Sequence, residues 1–141
     1  MDFRLFNGEA VISRIPLKKD SATVIAPGKM VTLDGNNLAV EADASSTVIA
    51  YAEFGAEAGE TTVLVVKEKE AIFVGTANTA YYAITDTGLI CDLAISGSNQ
   101  LINLGASVTG VFQVNVREDA GMDGSVIPVQ VFINKPLVGN M

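Results

Sequence analysis

The side chains able to do chemistry are few, and the commonest one is absent. The 141-residue chain contains no His, which removes both the usual general base and the usual transition-metal ligand. Its single cysteine, Cys91, can form neither an intrachain disulfide nor a Cys-based zinc site. Flanked by Leu89, Ile90 and Leu93, it reads as a small buried hydrophobe. Carboxylates could hydrolyse a glycosidic bond as a pair. Glu53, Glu57 and Glu60 lie close together in sequence, as do Glu41 and Asp43. Sugar-cleaving sites usually stack their substrate on aromatic rings, whereas this chain has no Trp and 6% aromatic residues. Acidic surface is the better account of these groups, and a carboxylate hydrolase is the weaker one. The stretch around Ser96 and Ser98 lacks the spacing of a nucleophile elbow, and no Ser-x-x-Lys occurs. Neither phosphate-binding glycine pattern is present. The loop 120–124 offers too few oxygen ligands for calcium. The residues therefore point to binding or structural work, with no cofactor, no metal and no catalytic group.

The elements that carry these residues read as strands. Thirteen glycines interrupt short runs rich in Val, Ile, Thr and Tyr, a composition suited to pleated sheet. Strands are expected at 22–26, 29–33, 38–41, 47–52, 62–66, 71–74, 81–84, 100–104, 108–116 and 126–133. Pro27-Gly28 suits a type II turn, and Asp34-Gly35 between two strands marks a hairpin. The charged run 67–70 reads as a solvated hairpin end or a protected edge. Residues 53–60 allow one helical turn at most. The 86–96 stretch is ambiguous between a short helix and a buried strand. Many strands at close spacing predict an all-β fold: a small β-barrel, β-tulip or sandwich with at most one or two short helices.

Charge separates an N-terminal arm from a body. Residues 1–24 hold four basic and three acidic side chains, or 4 − 3 = +1, and the rest hold 5 − 13 = −8. A net charge of −7 argues against nucleic acid as a partner. No apolar run approaches the roughly 18 residues of a membrane span, and no secretory leader is expected. The arm, residues 1–21 ahead of a β-rich body at 22–141, carries Phe3, Leu5, Phe6, Val11, Ile12, Ile15 and Leu17. Two readings stand. Residues 9–15 form the first strand of the barrel, or residues 1–7 cross to another chain and pair with its sheet edge or fill its groove. Part strand and part tether combines them.

The order of features is informative. After the arm come Ala26-Pro27-Gly28-Lys29, then Val48-Ile49-Ala50-Tyr51-Ala52 and Gly59-Glu60-Thr61-Thr62-Val63-Leu64-Val65. These are followed by Gly88-Leu89-Ile90-Cys91-Asp92-Leu93, Gly105 to Val114, and Ile127-Pro128-Val129-Gln130-Val131-Phe132. Over residues 22–133 this order resembles the head decoration, or capsid cement, proteins of tailed bacteriophages, including the lambda-type β-tulip group. The resemblance implies a non-enzymatic homotrimer, made in the host cytoplasm, that binds the outer surface of the virion capsid and stabilises the expanded head. Its partners would be the major capsid protein and its own copies. By the same resemblance, residues 1–17 would contact the shell and Arg4, Arg14, Lys18 and Lys19 would face acidic coat surface. The interface set expected from arm and resemblance together is Phe3, Arg4, Leu5, Phe6, Val11, Ile12, Arg14, Ile15, Leu17, Lys18 and Lys19. The alternative from another class is a receptor- or glycan-binding β-sandwich of a phage tail or fibre.

Overall fold

A computed structural model describes residues 1–6, 12–78, 88–115 and 128–138. Every regular element among them is a strand: β1 (Arg4–Leu5), β2 (Arg14–Lys18), β3 (Lys29–Leu33), β4 (Ala39–Glu41), β5 (Ala50–Ala52), β6 (Thr62–Val66), β7 (Phe73–Thr76), β8 (Ile90–Ser96), β9 (Asn99–Asn103), β10 (Phe112–Val114) and β11 (Pro128–Ile133). The all-β expectation holds. The ambiguous 86–96 stretch resolves as β8 where it is described. The possible helical turn at 53–60 does not form, because Gly55 sits at φ +63° with its backbone against the Ile25 carbonyl.

Three layers build the molecule. The largest sheet runs β1-β7-β11-β10-β8-β9, with every neighbour antiparallel. It curls until its ends meet: Ile102 of β9 forms a parallel bridge with Ala77, just past β7, and the Asn78 amide donates to the Ile102 carbonyl at 2.8 Å. That single bridge does not extend into a ladder, so the sheet approaches a barrel without closing. The middle layer is β4-β3-β5, and the third is a two-stranded ribbon, β2-β6. The charged run 67–70 is not a hairpin end. It joins β6 of the ribbon to β7 of the large sheet, strands that do not pair. Of the stretch 22–26 only Ile25 pairs, with Ala56. Residues 81–84 and the loop 120–124 lie outside the described residues.

The middle sheet is buried on both faces, and its period of two sorts residues between two cores. Met30 and Tyr51 face the first core with Phe3, Phe73, Leu93, Ile102 and Phe112. Val31, Ala50 and Ala52 face the second, with Ile25, Val63 and Val65. Large side chains fill the hollow of the curled sheet. The alanines on the other face let the ribbon approach closely.

Side chains supply the ties between layers. The Gln100 carboxamide, on β9, behaves as a short strand partner for β3. Its Oε1 accepts from the Met30 amide at 2.8 Å, and its Nε2 donates to the carbonyls of Met30 at 2.8 Å and Ala42 at 2.9 Å. All of its capacity as donor is used within a buried site, so the polar group specifies sheet placement without a desolvation penalty. Asp92, also buried, accepts from the amides of Val108 (3.0 Å), Thr109 (3.0 Å) and Gly110 (2.7 Å). It thereby holds the 105–110 loop in a shape that leaves Val108 90% exposed.

Candidate functional site

The N-terminal segment divides into two parts with opposite surroundings. Met1 to Phe6 is a plug. Phe3 is fully buried in the first core, 5.4 Å from the Phe112 ring centroid. Its amide donates to the Gly28 carbonyl at 3.0 Å, and its carbonyl accepts from the Tyr51 hydroxyl at 2.9 Å. Burial, then the charge of Glu53, pushes the Tyr51 hydroxyl up to about 12, so it stays a donor. Gly75 makes the slot possible: a Cβ there would lie 2.3 Å from the Phe3 ring. Asp2 anchors the plug. Its Oδ2 accepts from Lys29 Nζ at 2.5 Å and from the Gln100 amide at 2.7 Å. Lys29 also donates to the Ser98 carbonyl. Burial raises the Asp2 carboxyl, but the bonds from Lys29 and Gln100 outweigh it and hold it below the ordinary value of 3.8.

The second part is β2, paired residue for residue with β6: Arg14 with Val66, Pro16 with Leu64, Lys18 with Thr62. Ile15 and Leu17 face the second core and are half-buried. On the outer face Pro16 and Lys18 are exposed, beside Leu64 at 45% exposure. Arg14 pairs with Glu53 and lies 4.9 Å from the centroid of the Phe54 ring, itself 62% exposed. Ser13 closes the ribbon end, donating its amide (2.7 Å) and hydroxyl (2.6 Å) to the Glu68 carboxylate.

Register decides what the edge of β2 can offer. The Lys67 amide donates to the Ser13 carbonyl and the Lys19 amide to the Thr61 carbonyl. Odd-numbered residues therefore bond to β6, and Arg14, Pro16 and Lys18 turn their backbone groups to the other edge. No described strand pairs there. Pro16, at its centre, has no N–H, a common device for blunting an exposed edge.

The fold concentrates charge in a way that reading along the chain does not. Residues 13–19 and 61–69 hold Arg14, Lys18, Lys19, Lys67 and Lys69 against Glu68, or 5 − 1 = +4. The remainder of the sequence is then −7 − 4 = −11. One of the five cations, Lys19, is turned inward, with Nζ donating to the carbonyls of Asp20 (2.8 Å) and Thr23 (2.5 Å). Beyond β4, a cleft of about 390 Å³ is lined by Leu33, Val40, Asp34, Glu41 and Asp43 among others. Hydrogen bonds from Ser45, first its hydroxyl and then its amide, hold the Asp43 carboxyl low.

The expected interface residues thus scatter. Arg4 and Lys18 are exposed, and Leu5, Phe6, Ile12, Arg14, Ile15 and Leu17 are half-buried. Phe3 and Lys19 face the interior of their own chain, because the glycine-lined slot and the 20–23 turn accommodate them. Val11 lies outside the described residues. The described part of the arm is accordingly woven into the body through β1, paired with β7, and β2, paired with β6. Phe54 and Leu64, which the sequence did not mark, complete the outer face. Their one signal is being large and apolar beside turn and strand residues that alternate outward.

The clustered carboxylates have structural partners. Glu53 holds Arg14, Glu60 accepts from the Glu57 amide at 2.7 Å, and Glu41 accepts from the Ala26 amide at 2.9 Å. Cys91 is buried in the first core. Among the described residues, no three His, Cys, Asp or Glu side chains come together in a way that could hold a metal. No described helix is long and apolar enough to cross a membrane. Comparison with family models, with curated proteins and with solved structures finds no match in any of the three.

Proposed function

We propose that this chain is a non-enzymatic structural protein that decorates the outer surface of a bacteriophage capsid as a homotrimer and stabilises the expanded head. One observation carries the reading: the outer face of the β2-β6 ribbon, with exposed Pro16, Leu64 and Lys18 and with exposed Phe54 beside Arg14, stands as a partly apolar surface on an acidic chain, bearing a cation unpaired among the described residues. Exposed apolar groups rimmed by charge are typical of protein docking surfaces. The order of Gly and apolar motifs over residues 22–133 supplies the family-level support. The body suits a load-bearing part. Its layers are tied by Gln100, by the Phe3 plug and by the Asp2–Lys29 pair, contacts that join residues far apart in sequence. Three copies bound together gain avidity from individually modest contacts.

The test is co-sedimentation of the full chain with expanded, undecorated heads of a tailed phage. Saturable binding that raises the heat resistance of the heads is the expected result. A chain that leaves such heads bare at micromolar concentration refutes the capsid assignment.

A further inference from the structure

The ribbon presents two routes to a partner, its edge and its face. The edge is a poor template. Arg14, Pro16 and Lys18 point their backbone groups outward, and the middle one has no donor. The face is a better one: Pro16 and Leu64, directly opposite across the ladder, form an apolar centre, Phe54 lies exposed beside Arg14, and Lys18 stands uncovered.

A complementary surface is present on the same molecule. The β3-β4 cleft is lined by Val40 and by the acidic residues Asp34, Glu41 and Asp43 among others; the Glu41 carboxylate is turned to the Ala26 amide at 2.9 Å, which leaves Asp34 and Asp43 to meet a cation. Asp34 accepts from the amides of Asn36 (2.8 Å) and Leu38 (3.1 Å), and neutral amide donors leave its negative charge in place. Among the described residues, no Lys or Arg lines the cleft. The ribbon packs over the second core beside β5, whereas the cleft lies along β4 at the other edge of the middle sheet, so the two surfaces stand apart on one chain. A surface and its complement set apart on one chain make a heterologous contact, which repeats head to tail and closes into a ring when the rotation allows.

We propose that the outer face of the β2-β6 ribbon docks into the acidic β3-β4 cleft of a second copy of this chain. The inference rests on reading that face as a docking surface, but not on the identity of any capsid. Apolar contact from Leu64 and Phe54 supplies burial, and Lys18 meets the cleft carboxylates, which sets the register.

Sedimentation velocity of the full chain from micromolar to millimolar concentration reads the association directly. The wild-type chain is expected to form a concentration-dependent oligomer. Lys18→Glu and Leu64→Ser, both at exposed positions, should each raise the dissociation constant at least tenfold with unchanged thermal unfolding. Combining Lys18→Glu with Asp43→Lys, at an exposed position of the cleft, in one chain should recover part of the loss. Zero-length carbodiimide coupling of mixed light- and heavy-isotope copies adds a readout that needs no variant: Lys18 should join Asp34 or Asp43 of the other isotope. A wild-type chain that stays monomeric at millimolar concentration overturns the proposal, as does an oligomer indifferent to Lys18→Glu and Leu64→Ser. Heads decorated by a chain that never self-associates would overturn this inference and the homotrimer, and leave only the capsid binding standing.

Discussion

The two halves of the N-terminal segment have similar composition and opposite fates. Met1 to Phe6 carries two Phe, a Leu and an Arg, and Arg14 to Lys18 carries an Ile, a Leu, a Pro and two cations. The first half buries Phe3 completely, whereas the second leaves Pro16 and Lys18 on the surface. Hydrophobicity does not separate them; the shape of what receives them does. Phe3 enters a slot cleared by Gly75, while β2 lies on a ribbon whose outer face is covered only at the Arg14–Val66 end, so Pro16 and Lys18 point away. The plug serves the stability of its own chain, and the outer ribbon face is left exposed.

That contrast can be broken from either side. The largest effect belongs to the plug. Phe3→Ala should cost about 3–5 kcal/mol in urea unfolding, the usual range for emptying a fully buried aromatic site. Leu17→Ala, half-buried in the ribbon, should cost roughly 1–2 kcal/mol. Equal losses at the two positions would erase the distinction. Next comes Gln100→Leu. It leaves the Met30 amide and the Ala42 carbonyl without their partner, whereas the Met30 carbonyl keeps the Ala42 amide at 2.9 Å, and each buried group left unpaired costs about 1–3 kcal/mol. The same denaturant curve reads it.

The pH response sharpens the comparison further. Because the folded-state carboxyl of Asp2 lies below its ordinary value of 3.8, its contribution is complete above that value and is lost as pH falls through the lower folded one. Stability of the wild-type chain should therefore decline below about pH 4, and Asp2→Asn should flatten that acid limb. Thermal melts between pH 2 and 7 check this. A limb equally steep in Asp2→Asn would show that the plug is not anchored there. The smallest effect belongs to the outer ribbon face: Lys18→Ala should change stability by no more than about 0.5 kcal/mol, as exposed side chains generally do, while weakening association between copies.

Much of this fold is legible along the chain, and the failures have a common cause. Residues 29–33 and 62–66 are strands with the boundaries their alternation and flanking turns suggest. Asp34-Gly35 joins β3 to β4 as a hairpin. Local signals are enough there, because turn chemistry and side-chain period act over a few residues. The fate of Phe3 depends on Gly28 and Gly75, and nothing local ties them to it; an oily terminus without visible neighbours then looks like an arm in search of another chain. Gln100 reads as one polar residue in a strand until β3 comes beside it. The charge pattern fails for the same reason. Arg14 and Lys18 come near Lys67 and Lys69 only through the β2-β6 ladder, so that residues 13–19 and 61–69 together carry +4 against −11 for the remainder.

Residue-resolved amide hydrogen exchange on the full chain tests the division of the segment most directly. The amides of Phe3 and Phe6, bonded to the carbonyls of Gly28 and Ile72, should exchange as slowly as those of the large sheet, while the outward amide of Lys18 exchanges at nearly the unprotected rate. Fast exchange at Phe3 and Phe6, with the strands of the large sheet still protected, would mean a free arm and would contradict the account.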